Sequence, residues 1–284
     1  IKFNIPIICV GNIYVGGTGK TPLTINIAKE LAKKKHNLIL VSRDLTKLKN
    51  TKQLLENINN AKCDVYEHDL SLISENIKFY KHVYNKYKNI DYLINNVGAI
   101  FMKRHETAEG LEKTFSLNHM SYFVLSKLFL QQEKSLKIIN VSSQAHRNTN
   151  LDFEDLQNKK NYNGWYAYKQ SKLSNIYLTY ELHKKIIKTK STVNCLHPGV
   201  VNTNFANDNS LPFKIMASMI KYFGITPQEG ASTILYLVNN NDARNVSGLY
   251  FNKCIPQETS PASSDEKSSK LLWDYSEKIL SNYI

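Results

Sequence analysis

Apolar residues fall at two spacings along this chain. Short aliphatic runs, IPIICV, NLILVS, CDVYEH, YLINNV, KIINVS and STVNCL, alternate with longer stretches whose apolar positions recur every three or four residues. The first spacing suits buried strands and the second suits helices with one apolar face. Helices are expected up to about residue 35, near 46–58, near 72–87, from about 108 to 130 and from 166 to about 188. Two more are expected near 212–222 and 227–239, with GLYFN as a last strand. Strand and helix taking turns builds right-handed βαβ units, so the pattern predicts a parallel sheet with helices on both faces.

That architecture is a Rossmann-type doubly wound α/β fold, a three-layer α/β/α sandwich in a single domain over 1–284. Ligands of such sheets lie beyond the carboxyl ends of the strands, where Asn95 to Gly98, Ser142, Ser143 and His197 to Thr203 are expected to gather. Two segments interrupt the pattern. Residues 147–165 are polar and irregular, which predicts a surface excursion beside the site. Residues 204–226 mix Asn, Asp and Pro with an amphipathic stretch, which predicts a flap over a pocket. The stretch from 257 to 284 reads as a turn-rich tail whose final helix docks on the domain.

Charge and cysteine content narrow the classes further. Lys and Arg total 37 against 24 for Asp and Glu, a net charge of +13. The excess is spread along the chain and in part placed at helix ends, where cations suit the macrodipole, so no nucleic-acid partner is expected. Cys9, Cys63, Cys195 and Cys254 form no CxxC pair, which argues against a zinc site or a disulfide framework and fits a reducing cytoplasm. No apolar run approaches the roughly 18 residues of a membrane span, and the start lacks the order of a signal peptide. The chain opens on Ile1, so residues ahead of it are expected.

The candidate chemistry centres on YKQSK. If 166–188 is helical, Tyr168 and Lys172 share one face, and the ammonium lowers the cost of forming phenolate. That pair is a proton donor for a carbonyl. Ser143 ends the strand-like run before it, NNVG stands where the family pattern has NNAG, and Asn118, VSS and PG followed by Thr203 occur in order. From about residue 38 onward the chain resembles the short-chain dehydrogenases/reductases, in particular the retinol-dehydrogenase-like branch. A lone YxxxK is weak; several independent motifs in register are not.

The resemblance implies roles for these residues. Tyr168 is the general acid/base, Lys172 depresses its pKa and binds the nicotinamide ribose, Ser143 stabilises the substrate oxygen, and Asn118 holds a water that relays protons through Lys172. Taken alone, Asn118 reads more plainly as a solvated or helix-bending amide; with the other three in order it reads as the relay. On the cofactor side, Asp69 and Leu70 contact adenine, although Asp69 also reads as a helix cap. Asn95 and Gly98 bring backbone close to the cofactor, and Pro198, Gly199, Val201 and Thr203 wrap the carboxamide end of the nicotinamide. Arg43 follows the second strand, where a cation suits the 2′-phosphate, so NADP(H) is expected in preference to NAD(H). Asp44 beside it counts against that preference, and a surface ion pair is the plainer reading of Arg43. The family's dimer or tetramer is left open.

The opening of the chain departs from the pattern. The glycine loop is represented by Gly11, Gly17 and Gly19, but Gly11 to Gly17 is longer than the family spacing, and counting back from Arg43 puts the last two glycines near Leu23 and Ile25. The stretch VGNIYVGGTGKTP over 10–22, within 1–37, instead resembles the variant P-loop of lipid A tetraacyldisaccharide 4′-kinase, which cradles ATP phosphates. Three functions are therefore weighed. The first is an NADP(H)-dependent oxidoreductase interconverting an alcohol and a ketone or aldehyde; apolar Leu211, Phe213, Ile215, Met216 and Met219 point to a small hydrophobic substrate, or equally to core packing. The second is an ATP-binding kinase-like protein, and the third a catalytically silent dehydrogenase-like fold.

Overall fold

The computed structural model describes residues 6–10, 20–87, 89–132, 135–199 and 224–284. Among these residues, seven parallel strands form the sheet: β1 (Pro6–Val10), β2 (Asn37–Ser42), β3 (Cys63–Glu67), β4 (Tyr92–Asn95), β5 (Lys137–Val141), β6 (Thr192–His197) and β7 (Tyr250–Asn252). A two-residue edge strand, β8 (Ile255–Pro256), pairs antiparallel to β7, giving the order β3-β2-β1-β4-β5-β6-β7-β8. The order reverses between β1 and β4, which opens a crevice at the carboxyl edge there.

Burial explains why the strands read as continuous apolar runs. Both sheet faces are covered, and the two-residue period sorts alternate side chains into opposite cores. Leu38 and Leu40 of β2 join one core with Leu23, Ile27 and Leu31, whereas Ile39 and Val41 join the other with Phe79, Val83 and Phe123. β4 divides likewise, with Tyr92 and Ile94 on the first side and Leu93 on the second.

The helices are α1 (Lys20–Lys33), α2 (Leu45–Glu56), α3 (Ile73–Lys86), α4 (a continuous run over 113–132), α5 (Gly164–Ile186), α6 (Pro227–Asn239) and α7 (Glu266–Leu280). α6 begins where the sequence placed it, on a Thr226/Glu229 capping box with Pro227 in the first turn. α4 starts later than expected from its apolar spacing. Gly110 turns the chain at φ +76°, and buried Glu112 then caps the helix by accepting from Thr114 N at 2.8 Å and Phe115 N at 2.7 Å. Within α4, Ser116–Met120 forms a π-turn, the kind of local bulge that re-aims backbone groups at functional sites.

α7 docks as expected of the tail. Trp273 packs edge-on to Phe123 at 5.0 Å, Lys185 lies 4.4 Å above the Trp273 ring, and Lys127 pairs with Glu277. The 147–165 segment is irregular as anticipated, but not simply superficial. Leu156, Gln157 and Asn158 are buried, and the Gln157 amide oxygen accepts from Glu112 N at 2.8 Å. No helix among the described residues is long and apolar enough to cross a membrane.

Candidate active site

Strand register brings the predicted residues to one edge. Ser42 is level with Glu67, Asn95 with both Val10 and Asn140, and Val141 with Leu196, so the loops after β2 to β6 emerge side by side. Ser143 leaves β5 in an extended conformation and caps a short 3-10 turn, its Oγ accepting from Ala145 N at 3.1 Å. Next to it, Ser142 is buried and its hydroxyl donates to Lys172 O at 2.7 Å, which ties the end of β5 to the middle of α5.

α5 is opened by an Asn163 cap on Tyr166 N, with Gly164 pressed so close to the neighbouring loop that a Cβ would stand 2.2 Å from Phe101 O. This contact fixes where the helix enters. Trp165, Tyr168 and Lys172 then follow at helical spacing along one face, from solvent to interior. The Lys172 ammonium sits 5.5 Å from the Tyr168 ring centroid, is completely buried, and donates to Val141 O at 3.1 Å.

The electrostatics correct one expectation. Lys172 does not bring the phenol into a lower range here: burial pushes Tyr168 up to about 12, and a hydrogen bond with the Ser143 side chain works against it. Desolvating a phenolate costs more than this surrounding returns, because the ammonium meets the ring broadside and is itself engaged by a main-chain carbonyl. Asn118 lies in the π-turn, wholly buried, and its amide is committed to structure. Its Oδ1 accepts from Ala99 N at 2.8 Å, while Nδ2 donates to Ala99 O and to Ser171 Oγ, each at 2.9 Å.

At the far end of the cleft, Ser42, Arg43, His68, Asp69, Leu70, Val97 and Leu117 line one concavity. Arg43 pairs loosely with Asp69 at 3.6 Å, both side chains about one-third exposed. Asp44 is committed elsewhere: its carboxylate caps α2 through Lys47 N at 3.0 Å and pairs with the Lys47 ammonium at 2.8 Å, which holds it below the usual carboxylate range. Asp69 is not the cap of α3. It accepts from Ser71 N and Oγ in a local turn, and Glu109, distant in sequence, takes over the exposed helix amides at Ile73 N and Ser74 N.

Asn95 reaches away from this edge, its amide donating to Asn140 Oδ1 at 2.8 Å and Ser126 Oγ at 3.1 Å beneath the sheet end. Gly98 is buried in the loop after β4, and Pro198 and Gly199 follow β6. Gly199 adopts φ +89°, and a Cβ there would meet Ile225 Cδ1 at 2.2 Å. Gly11, Gly17, Gly19, Val201, Thr203 and the flap residues up to 223 lie outside the described residues.

Three features escaped the sequence reading. Trp165 stacks on Tyr168 at 5.7 Å and, like Met102 beside Gly164, stays 44% exposed, so an apolar lip adjoins the phenol. His146 grips the Ser143 carbonyl at 2.7 Å. Glu109 caps α3 across the loop. The position of Trp165 three residues before Tyr168 was a usable signal; the other two contacts join residues whose pairing no local pattern announces.

A family model described as short chain dehydrogenase matches residues 13–212; it takes in most of the opening unit, so the kinase-like reading of the first 37 residues is not supported. Retinol dehydrogenase 14 of Mus musculus is 36% identical over 222 residues, covering 76% of this chain and 66% of that protein, so this chain aligns with just under two thirds of its length. Retinol dehydrogenase 12 of Homo sapiens is 30% identical over 274 residues, 95% of this chain and 86% of that one. Among solved structures, a putative uncharacterized protein from Mycobacterium Paratuberculosis superimposes with a TM-score of 0.77 at 23% identity, over 98% of this chain and 94% of the other. With the strand order, the match over 13–212 and these relatives agreeing, the chain belongs to the short-chain dehydrogenase family of oxidoreductases.

Proposed function

We propose that this protein is an NADP(H)-dependent oxidoreductase that interconverts an apolar alcohol with its aldehyde or ketone. The observation that carries the reading is the convergence of Ser143, Tyr168 and buried Lys172 at the carboxyl edge of β5, next to the point where strand order reverses. The described residues fit a dinucleotide. Arg43, Asp69 and Leu70 share one concavity near the end of β2, and Gly199 keeps the loop after β6 free of a Cβ. With Asp44 bound to its own helix and Asp69 paired with Arg43, the Arg43 guanidinium would be the group to hold a 2′-phosphate at that strand end.

When bound, the dinucleotide supplies or accepts the hydride. The chain does the rest. Ser143, with Oγ accepting from Ala145 N, points its hydrogen at the substrate oxygen, and Tyr168 donates the proton that the forming alkoxide needs. The phenol, held up by burial, is in the protonated form that carbonyl reduction consumes. Reprotonation passes through Lys172. The Asn118 amide is fully engaged by Ala99 and Ser171, so its side chain stays out of that route. Trp165 and Met102 offer the apolar wall for the substrate body.

The test is NADPH consumption with a set of apolar aldehydes by the unmutated protein and by Tyr168→Phe. Turnover lost by about 10²- to 10⁴-fold with NADPH binding retained supports the reading. Equal turnover by the two proteins, or ATP binding in place of NADPH, rules it out.

A further inference from the structure

We propose that His146 is a positioning residue of the active site: it clamps the main chain of Ser143 and ties it to the carboxyl-terminal arm over 257–264. The inference rests on the oxidoreductase reading above for its catalytic consequence, but the clamp stands on geometry alone.

His146 is completely buried, and both ring nitrogens are engaged. Nδ1 lies 2.7 Å from Ser143 O, and Ser260 N donates to Nε2 at 3.2 Å. A main-chain N–H can only donate, so Nε2 must carry the lone pair. The single proton of the neutral ring then sits on Nδ1 and is donated to the Ser143 carbonyl. The tautomer follows from the partners rather than from choice. Tyr250 holds the ring edge-on at 5.3 Å, which removes the freedom to flip.

Ser143 is thereby fixed from two sides. Its Oγ is engaged by Ala145 N, and its carbonyl by His146 N at 3.2 Å as well as by the His146 ring. The arm that holds the far nitrogen is itself bolted to α5, the helix that carries Tyr168. Tyr177 donates to Ala262 O at 2.5 Å, and Tyr180 and Thr259 share a hydrogen bond at 3.0 Å. From the other flank, Arg147 donates to Glu258 O at 3.0 Å. The loop bearing Ser143 and the helix bearing Tyr168 are thus referenced to one rigid piece, and His146 is the joint. A serine that must present its hydroxyl within a few tenths of an ångström of a reacting oxygen needs such support.

Two substitutions divide the joint. In His146→Asn the side-chain amide falls where Nδ1 stood, keeping the donor to Ser143 but losing the acceptor for Ser260. In His146→Gln the amide oxygen reaches the Nε2 position, keeping the arm but losing the grip on Ser143. Steady-state kinetics with NADPH and a converted aldehyde are expected to show kcat about 10- to 100-fold lower in both variants, since either one parts the joint, with the NADPH KM moved less than about twofold. Thermal melts of both variants control for folding. A kcat within about threefold of the unmutated protein in either variant, or an effect confined to KM, would overturn the proposal. Nitrogen-15 spectra of the histidines in the unmutated protein read the tautomer with no turnover at all, and a ring protonated on Nε2 ends the clamp. A protein that keeps the Nδ1–H tautomer but converts no aldehyde instead overturns the oxidoreductase reading, and the catalytic role of His146 with it.

Discussion

The two ends of the cleft are built to different tolerances. At the catalytic end Lys172 and Asn118 are wholly buried, with hydrogen bonds of 2.8 to 3.1 Å, whereas at the dinucleotide end Arg43 and Asp69 are about one-third exposed and meet at 3.6 Å. A buried cation in a narrow set of partners cannot move without exposing an unpaired group, so the chemistry is held rigid. An exposed, long guanidinium pair is screened by water and reorients at little cost. The difference assigns proton transfer to the interior and cofactor choice to an adjustable rim.

The largest effect is expected at the buried end. Lys172→Met keeps the volume and removes the charge, and kcat should fall by about 10²- to 10⁴-fold with the melting temperature nearly unchanged. Turnover within about threefold of the unmutated protein would place the proton route elsewhere. At the rim, Arg43→Glu should raise the NADPH KM by about 10- to 100-fold and leave NADH untouched. Should both cofactors suffer alike, Arg43 does not read the 2′-phosphate, and the contrast between the two ends loses its functional half. Trp165→Ala is expected to raise the KM of an apolar aldehyde by about tenfold and leave kcat within twofold, with Trp165→Phe restoring most of it. An unchanged KM would remove the apolar lip from the substrate path.

A last effect is on stability. His119 and His197 are buried neutral, with burial pushing them down to about 3 and about 4 from an ordinary 6.5. In the unfolded chain both take up protons below 6.5, so the stability each contributes is complete above that pH and declines as pH falls toward its folded value. Each should forfeit about 2 kcal/mol by pH 5, read from urea midpoints across pH 7.5 to 5. A midpoint that stays level over that range contradicts the burial of both rings.

Much of the scaffold was legible because its signals are local. The runs NLILVS and CDVYE lie on β2 and β3, and the helix expected near 227–239 forms over Pro227–Asn239. Where reading failed, the local pattern gave out or a distant residue had intervened. The start of α4 was expected near Ala108, but Gly110 and Glu112 place it later. Asp69 looked like the cap of α3, but Glu109 arrives from the loop before α4 to fill that role. β8 was missed because two residues carry no period. At the site, the spacing of Tyr168 and Lys172 predicted their shared face correctly, but the sign of the phenol's shift did not follow from adjacency.

By itself the sequence determined the alternation of strand and helix, the strand order's family and the set of motifs that converge at one edge, since these depend on period and spacing along the chain. Only the tertiary structure decided how each group is solvated and paired: that burial outweighs the ammonium at Tyr168, that the Asn118 amide serves Ala99 and Ser171, and that His146 joins Ser143 to an arm more than a hundred residues away. Desolvation and hydrogen bonding are properties of three-dimensional neighbours, and neighbours across the chain leave no periodic trace.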